Sequence, residues 1–353
     1  MTGEGRRGTV APRRLFGVDA ARGVALLGMF VAHTLLTRGE AVSDGRSAIL
    51  FATVAGVSLG LMTGGPTPPP RGPRRGAARL VVLVRAAVLV LLGLALTAFV
   101  APPLAVILDY YGFGYVLVLG MLFLPRAVLA VSAAVLAFAA PPLVAALTGA
   151  ADFDDVPEAL QPFARWLTHG DYPMLVWITF LLVGLVLARS DLHSRSTARL
   201  AALGGTLAAV LGYGSVLVVP GTTAAAHSGS TAEVVGSGGV AVAVIGILCL
   251  ADSATGAAER FAAVARWILA PVAAAGSMPL TLYTAHAIAL ALVRETGVLE
   301  DDAQGSGLVL AALVVTALVF ATLWRRFVGS GPLEAGLRRL TRIVGGERSR
   351  VAP

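Results

Sequence analysis

Apolar runs long enough to span a bilayer recur from one end of this 353-residue chain to the other, and nothing constrains its fold more. A helix needs about 20 mostly apolar residues to cross the hydrocarbon. Ten such runs occur, near residues 15–36, 47–64, 80–100, 104–124, 127–148, 173–189, 199–220, 234–252, 268–293 and 307–328. Backbone N–H and C=O groups in lipid must find partners within the protein, which favours helices. The expected fold is all-α, a polytopic bundle of about ten transmembrane helices. Hydrophobic residues make up 57% of the chain and charged ones 13%. A soluble protein with that balance would expose too much apolar surface. No soluble block interrupts the runs. Residues 1–353 therefore read as a single membrane domain, with a tail at 1–14, helices over 15–328 and a second tail at 329–353.

The basic residues orient that bundle. All 27 are arginine. If the first tail is cytoplasmic, 21 of them fall in cytoplasmic tails and loops, while Arg38, Arg46, Arg165 and Arg294 fall on the opposite side. The asymmetry predicts both termini in the cytoplasm and a plasma-membrane protein. The loop placement also points to the lipid bilayer as the partner of this basic chain, and away from nucleic acid. Arg6-Arg7 and Arg13-Arg14 read as flanking topology signals, and the first run is too long and too charged for a signal peptide. The single cysteine, Cys249, excludes an internal disulfide, and no metal-ligand spacing appears. Acids in "DFDDVPE" (152–158) and "LEDD" (299–302) fall in outer loops, where they solvate the loop or steer a ligand.

Charges inside the runs carry the functional signal, because each costs at least about 2.5–3.5 kcal/mol at mid-span. The first run holds "GVDAARGVALLGMFVAH" (17–33), with Asp19, Arg22 and His33. On a helix Arg22 lies about 60° from Asp19, and His33 about 20° from Arg22. The three share one face, with His33 about 16 Å beyond Arg22 along the axis. Asp19 and Arg22 read either as a self-neutralising structural pair or as part of a site. His33 reads as a satisfied interfacial histidine, or as an imidazole that moves a proton or takes an acyl group. Arg85 in the third run is expected to snorkel to the cytoplasmic surface. Asp109, in "LDYYGFGYVL", is placed to pair with a base or orient an imidazole, while Tyr110, Tyr111 and Tyr115 suit an interfacial belt.

The ninth run, "ILAPVAAAGSMPLTLYTAHAIALALV", contains its own break. Pro279 has no N–H, so the carbonyl of Ala275 loses its helical partner. Gly276 and Ser277 loosen the same turn. The polar groups that follow, Thr281, Tyr283, Thr284 and His286, either tie helices together or line a polar cavity. Pro102-Pro103 and Pro141-Pro142 also mark expected ends or bends. Gly56 and Gly60 form a G-x-x-x-G packing contact. His169, His193 and His227 read as solvated loop histidines, and Glu334 in "GPLE" as a helix cap.

Five stretches, in order, resemble the YeiB-like bacterial membrane proteins, which are related to heparan-α-glucosaminide N-acetyltransferase. They are "RLFGVDAARGVALLGMFVAH", "DGRSAILFATVAGVSLGL", "ILDYYGFGYVLVL", "GSMPLTLYTAHAIAL" and "WRRFVGSGPLEAGLRR". The resemblance implies a membrane acyltransferase that takes an acetyl or similar group from cytosolic acyl-coenzyme A. Its acceptor would be an extracytoplasmic sugar, glycan or lipid-linked molecule. The relative's catalytic histidine lies between its first two helices. Here that segment, "TLLTRGEAVSDGRSAIL", has no histidine, and His33 is the nearest imidazole. On this reading His33 acts with Asp19, Arg22, Asp109 and His286. Arg71, Arg74, Arg75 and Arg79 are then expected to meet the phosphates of coenzyme A with Arg85, unless the first four only set topology. A transporter or flippase, or a non-catalytic membrane partner, fits the same broken helix and buried charges.

Overall fold

The structure, a computed structural model, describes residues 15–35, 44–150, 153–295 and 303–345. The tail at 1–14, the segment 36–43, the acidic "LEDD" and the last eight residues lie outside them. Among the described residues all regular structure is helical. The helices are α1 (Phe16–Thr34), α2 (Arg46–Met62), α3 (Pro73–Ala95), α4 (Leu108–Leu117), α5 (Arg126–Ala150), α6 (Gln161–Ala164), α7 (Met174–Ala188), α8 (Arg195–Val218), α9 (Thr231–Leu250), α10 (Ala257–Ile268), α11 (Ala270–Gly276), α12 (Pro279–Arg294), α13 (Ala303–Phe327) and α14 (Pro332–Val344).

Six of these segments are long and apolar enough to cross a membrane, and two bent pairs raise the number to eight. This is the build of a helical membrane protein. Each of the ten apolar runs is largely helical, but several make short helices; α7 has 15 residues, and the ninth run is split into helices of 7 and 16. α2 has 17 residues and α4 only ten. α4 is short because the chain enters it from Pro102-Pro103, which cannot donate, after Ala101 has turned left-handed with φ 44°. The run at 173–189 is prefixed by helical turns over Glu158–His169, bent by 55° from α7. Pro141 and Pro142 do not end or break a helix as expected. Both lie inside the continuous 25-residue α5.

α2 is the centre of the bundle. Apart from Arg46, Ser58, Leu61 and Met62 it is buried, packed by α1, α7 and α9. The approach to α7 depends on missing side chains. A methyl at Gly56 would run into the Leu181 carbonyl, and one at Gly184 into the Thr53 carbonyl. α1 packs on α2, α9, α11 and α13, while α8 pairs with α9 and α3 with α4. The N-terminus of α1 is tied across the chain, since Gly17 N donates to Asp252 Oδ2 at 2.7 Å. This end of the bundle, where α1 begins and α2 and α7 finish, is called the near end.

A candidate active site at the broken helix

A cavity of about 780 Å³ lies at the near end, walled by α1, α2, α3, α4, α12 and α14. Its wall is mostly apolar, but Asp19, Arg22, Arg85, His193, Glu334 and Arg338 bring titratable groups to it, as do Tyr111, Tyr115 and Tyr283. The break between α11 and α12 forms part of this wall. The two helices meet at 86°, a sharper disruption than a simple proline kink.

Two charged side chains satisfy what the break exposes. In an unbroken helix the Leu280 N–H would bond to the Gly276 carbonyl. Here Arg22 Nη1 donates to that carbonyl at 2.8 Å. Glu334 Oε1 accepts from Leu280 N at 2.7 Å and from Thr281 N at 3.1 Å, and its Oε2 accepts from Thr281 Oγ1 at 2.6 Å. The Ala275 carbonyl, which Pro279 cannot serve, takes Met278 N at 3.1 Å. A cation thus holds the carbonyl end of the break and an anion the amide end, as the helix dipole favours. Glu334 does cap a helix, but α12 instead of the one it belongs to. Arg22 also bonds Asp19 Oδ1 at 2.9 Å and, through Nη2, Ser58 Oγ at 2.8 Å.

Beyond Tyr283, one turn further along α12, the two histidines of the sequence reading meet. His33 Nδ1 and His286 Nε2 are 3.0 Å apart, so one ring donates to the other. Their planes are almost parallel, with centroids at 5.3 Å. Phe30 and Tyr283 cover His286 at 4.6 and 5.0 Å, leaving it 2% exposed. Its Nδ1 has no hydrogen-bond partner among the described residues. The Tyr283 hydroxyl accepts from Ile107 N at 3.2 Å and lines the cavity. At the far end of the bundle His227 Nε2 lies 3.3 Å from Asp44 Oδ1. The loop carrying His227 is held by Glu233, which accepts from the N–H groups of His227 and Gly229 at 2.7 and 2.8 Å.

Other expected site residues lie elsewhere. Asp109 is fully buried but orients no imidazole. Its Oδ2 accepts from Trp166 Nε1 at 2.9 Å and faces Arg165 Nη2 at 3.9 Å. Tyr110 and Tyr111 are interior instead of belt residues, and the Tyr111 hydroxyl donates to the Ala48 carbonyl at 3.0 Å. Arg85 does not snorkel away; it turns into the cavity. Arg71, Arg74, Arg75 and Arg79 are absent from the cavity wall. Arg75 bonds the Pro69 carbonyl, Arg79 the Leu119 carbonyl, and both stack over Phe123, which commits them to the segment after α4 instead of the cavity. His193, read as a solvated loop residue, lines the cavity while remaining half exposed.

Arg189 escaped notice in the sequence, where it looks like any arginine flanking a span. It is buried and donates to the carbonyls of Gly60, Gly65 and Leu122 and to Thr63 Oγ1, at 2.5–2.9 Å. These bonds fix the turn after α2, whose Gly64, Gly65 and Pro66 line the cavity. Arg338 likewise looks in the sequence like one more cytoplasmic charge, and no periodicity marks it as a wall residue.

A family model described as a protein of unknown function, DUF418, matches residues 184–344. The match includes the broken helix, His286, Glu334 and Arg338, and leaves out α1 with Asp19, Arg22 and His33. It places the chain's similarity with membrane proteins of unestablished activity. No curated protein sequence matches the chain.

Proposed function

We propose that the chain is a membrane acyltransferase that moves an acetyl or similar group from cytosolic acyl-coenzyme A to an extracytoplasmic sugar, glycan or lipid-linked acceptor. The observation that carries this reading is the His33–His286 contact, one helical turn beyond Tyr283 of the cavity wall. The resemblance to acyltransferase relatives in five stretches supports it, as does the arginine asymmetry, which puts the near end in the cytoplasm. On that topology the chain crosses the membrane ten times, with α2 and α4 as short crossings, and both termini are cytoplasmic.

The chemistry follows from the pair. If His33 Nδ1–H donates to His286 Nε2, the Nε2 lone pair of His33 is free to act as base or nucleophile. In the covalent route that nitrogen attacks the thioester carbonyl and the C–S bond breaks. The thiolate leaves and is protonated, and the acceptor hydroxyl or amine then cleaves the acyl-imidazole, losing its own proton. In the direct route the imidazole takes the acceptor's proton as the acceptor attacks the thioester, and passes it to the thiolate. Asp19 and Arg22 hold the entrance and the broken turn.

The test uses purified protein and acetyl-coenzyme A labelled in the acetyl group, with an extracytoplasmic glycan extract as acceptor. Free coenzyme A should appear, and a labelled His33 peptide should accumulate if the route is covalent. His33→Ala should lower turnover by about 100-fold or more, and His169→Ala, outside the cavity wall, should leave most of it. Absence of turnover in the parent protein, together with solute uptake into proteoliposomes, would instead favour a transporter. The 86° break and its paired charges are the observation behind that second reading.

A further inference from the structure

The cavity holds three arginines and two carboxylates, and their partners differ. Arg22 is committed to Asp19, Gly276 and Ser58. Glu334 has both oxygens on α12. Arg85 on α3 and Arg338 on α14 remain. Among the described residues neither guanidinium has a hydrogen bond or an ion pair, and the buried Nε of Arg85 is an orphan donor. α14 packs against α3, so the two side chains enter one cavity from adjoining walls. Half-buried guanidiniums without acceptors are costly unless a ligand supplies the anion. Paired arginines suit phosphate oxygens, to which their N–H groups can donate in parallel.

From this arrangement we propose that Arg85 and Arg338 form a binding site for a phosphate ester carried at the head of a slender, largely apolar chain. The proposal rests on the acyltransferase reading for its most direct ligand, the phosphorylated end of coenzyme A, with the pantetheine arm running along the apolar wall toward Tyr283. A phospholipid headgroup offers the same chemistry from the bilayer. In either case α14 is a wall of the site and not a tail, and the loop arginines Arg71 and Arg74 stand outside it.

Calorimetry on the full-length protein tests this, with coenzyme A, unphosphorylated pantetheine, and nanodiscs of phosphatidate or phosphatidylcholine as probes. Coenzyme A should bind at least tenfold more tightly than pantetheine. Arg85→Gln and Arg338→Gln should each weaken coenzyme A by about 10- to 100-fold and leave pantetheine unchanged. Arg338→Lys, which keeps the charge and controls for folding, should fall between. The double variant Arg71→Gln/Arg74→Gln should shift binding by less than about threefold, since exposed charges are screened. Phosphatidate binding that depends on Arg338, with no binding of coenzyme A, would keep the phosphate site, assign its ligand to the lipid and remove the acyl-coenzyme A reading. Acyl transfer with unchanged KM in both glutamine variants would overturn the site and leave the acyltransferase standing. So would equal weakening in the loop variant, or no binding of either phosphate probe.

Discussion

Arg189 shows what a single buried charge does here. Its guanidinium serves three carbonyls and one hydroxyl, tying the turn after α2 to Leu122 in the segment that follows α4. Removing it takes a buried donor from the Gly65 and Leu122 carbonyls and unties the two segments. Arg189→Ala should cost about 3–5 kcal/mol, read as a lowered midpoint of thermal unfolding in detergent. Arg189→Lys should recover little, because one ammonium cannot span acceptors on α2, the following turn and the loop at Leu122. An unchanged midpoint in both variants would refute this role. The residues of α1 were legible in the sequence because a helix repeats every 3.6 residues, so Asp19, Arg22 and His33 had to share a face. Arg189 and Arg338 were not, since periodicity along one helix says nothing about what faces it across a gap. The same limit separated Asp109 from its true partner, an indole 57 residues away.

At the scale of elements, the α11–α12 break is the feature around which the site is arranged. Pro279, Gly276 and Ser277 announced it, and the missing N–H at Pro279 explains why the turn cannot close. The sequence did not announce its size, or that Arg22 and Glu334 take over the freed groups. Those partners lie 254 and 54 residues away and depend on how α1 and α14 pack. The packing of α1 against the break requires bare backbone. A methyl at Gly276 would collide with the Asp19 carbonyl, and one at Gly23 with the Val272 carbonyl. Gly276→Ala should therefore push α1 from α11, lower the unfolding midpoint and weaken the Arg22 bond to the break. Backbone contacts relax poorly, so a loss of about 1–3 kcal/mol is expected. Gly204→Ala, on α8 where an added methyl meets nothing within 4 Å, should be neutral or gain up to about 1 kcal/mol from helix propensity. If the two variants behave alike, close backbone approach is not what holds α1 to the broken helix.

The architecture of the whole molecule was the most legible level, because hydrocarbon admits few alternatives to helices. All ten apolar runs form helices, yet length alone qualifies only six to eight segments as crossings. α2 escapes the length rule because it is wrapped by other helices and needs no contact with lipid along its sides. α4 begins after a proline-bound entry that is exposed at Ala101 and Pro103 and buried at Val106 and Ile107. The ten-crossing topology therefore makes a demand that six or eight crossings do not all share: Arg74 and Asp154 must face opposite compartments, separated by α3, α4 and α5. Cys249 is buried and the only cysteine, so a Cys249→Ala background is clean for labelling. In intact cells a membrane-impermeant thiol reagent should label Asp154→Cys and spare Arg74→Cys until the membrane is opened. Three crossings between the two sites give that result, and two would put both on one side. Labelling of both positions in intact cells would thus remove α4 as a crossing, reverse every loop after it and place α14 on the side opposite to the first tail. The cavity, walled by both α1 and α14, would then have to be formed some other way. The observed packing of α14 on α3 and α12, at the end where α1 begins, asks for an even total of crossings, and the labelling decides whether α4 is counted in it.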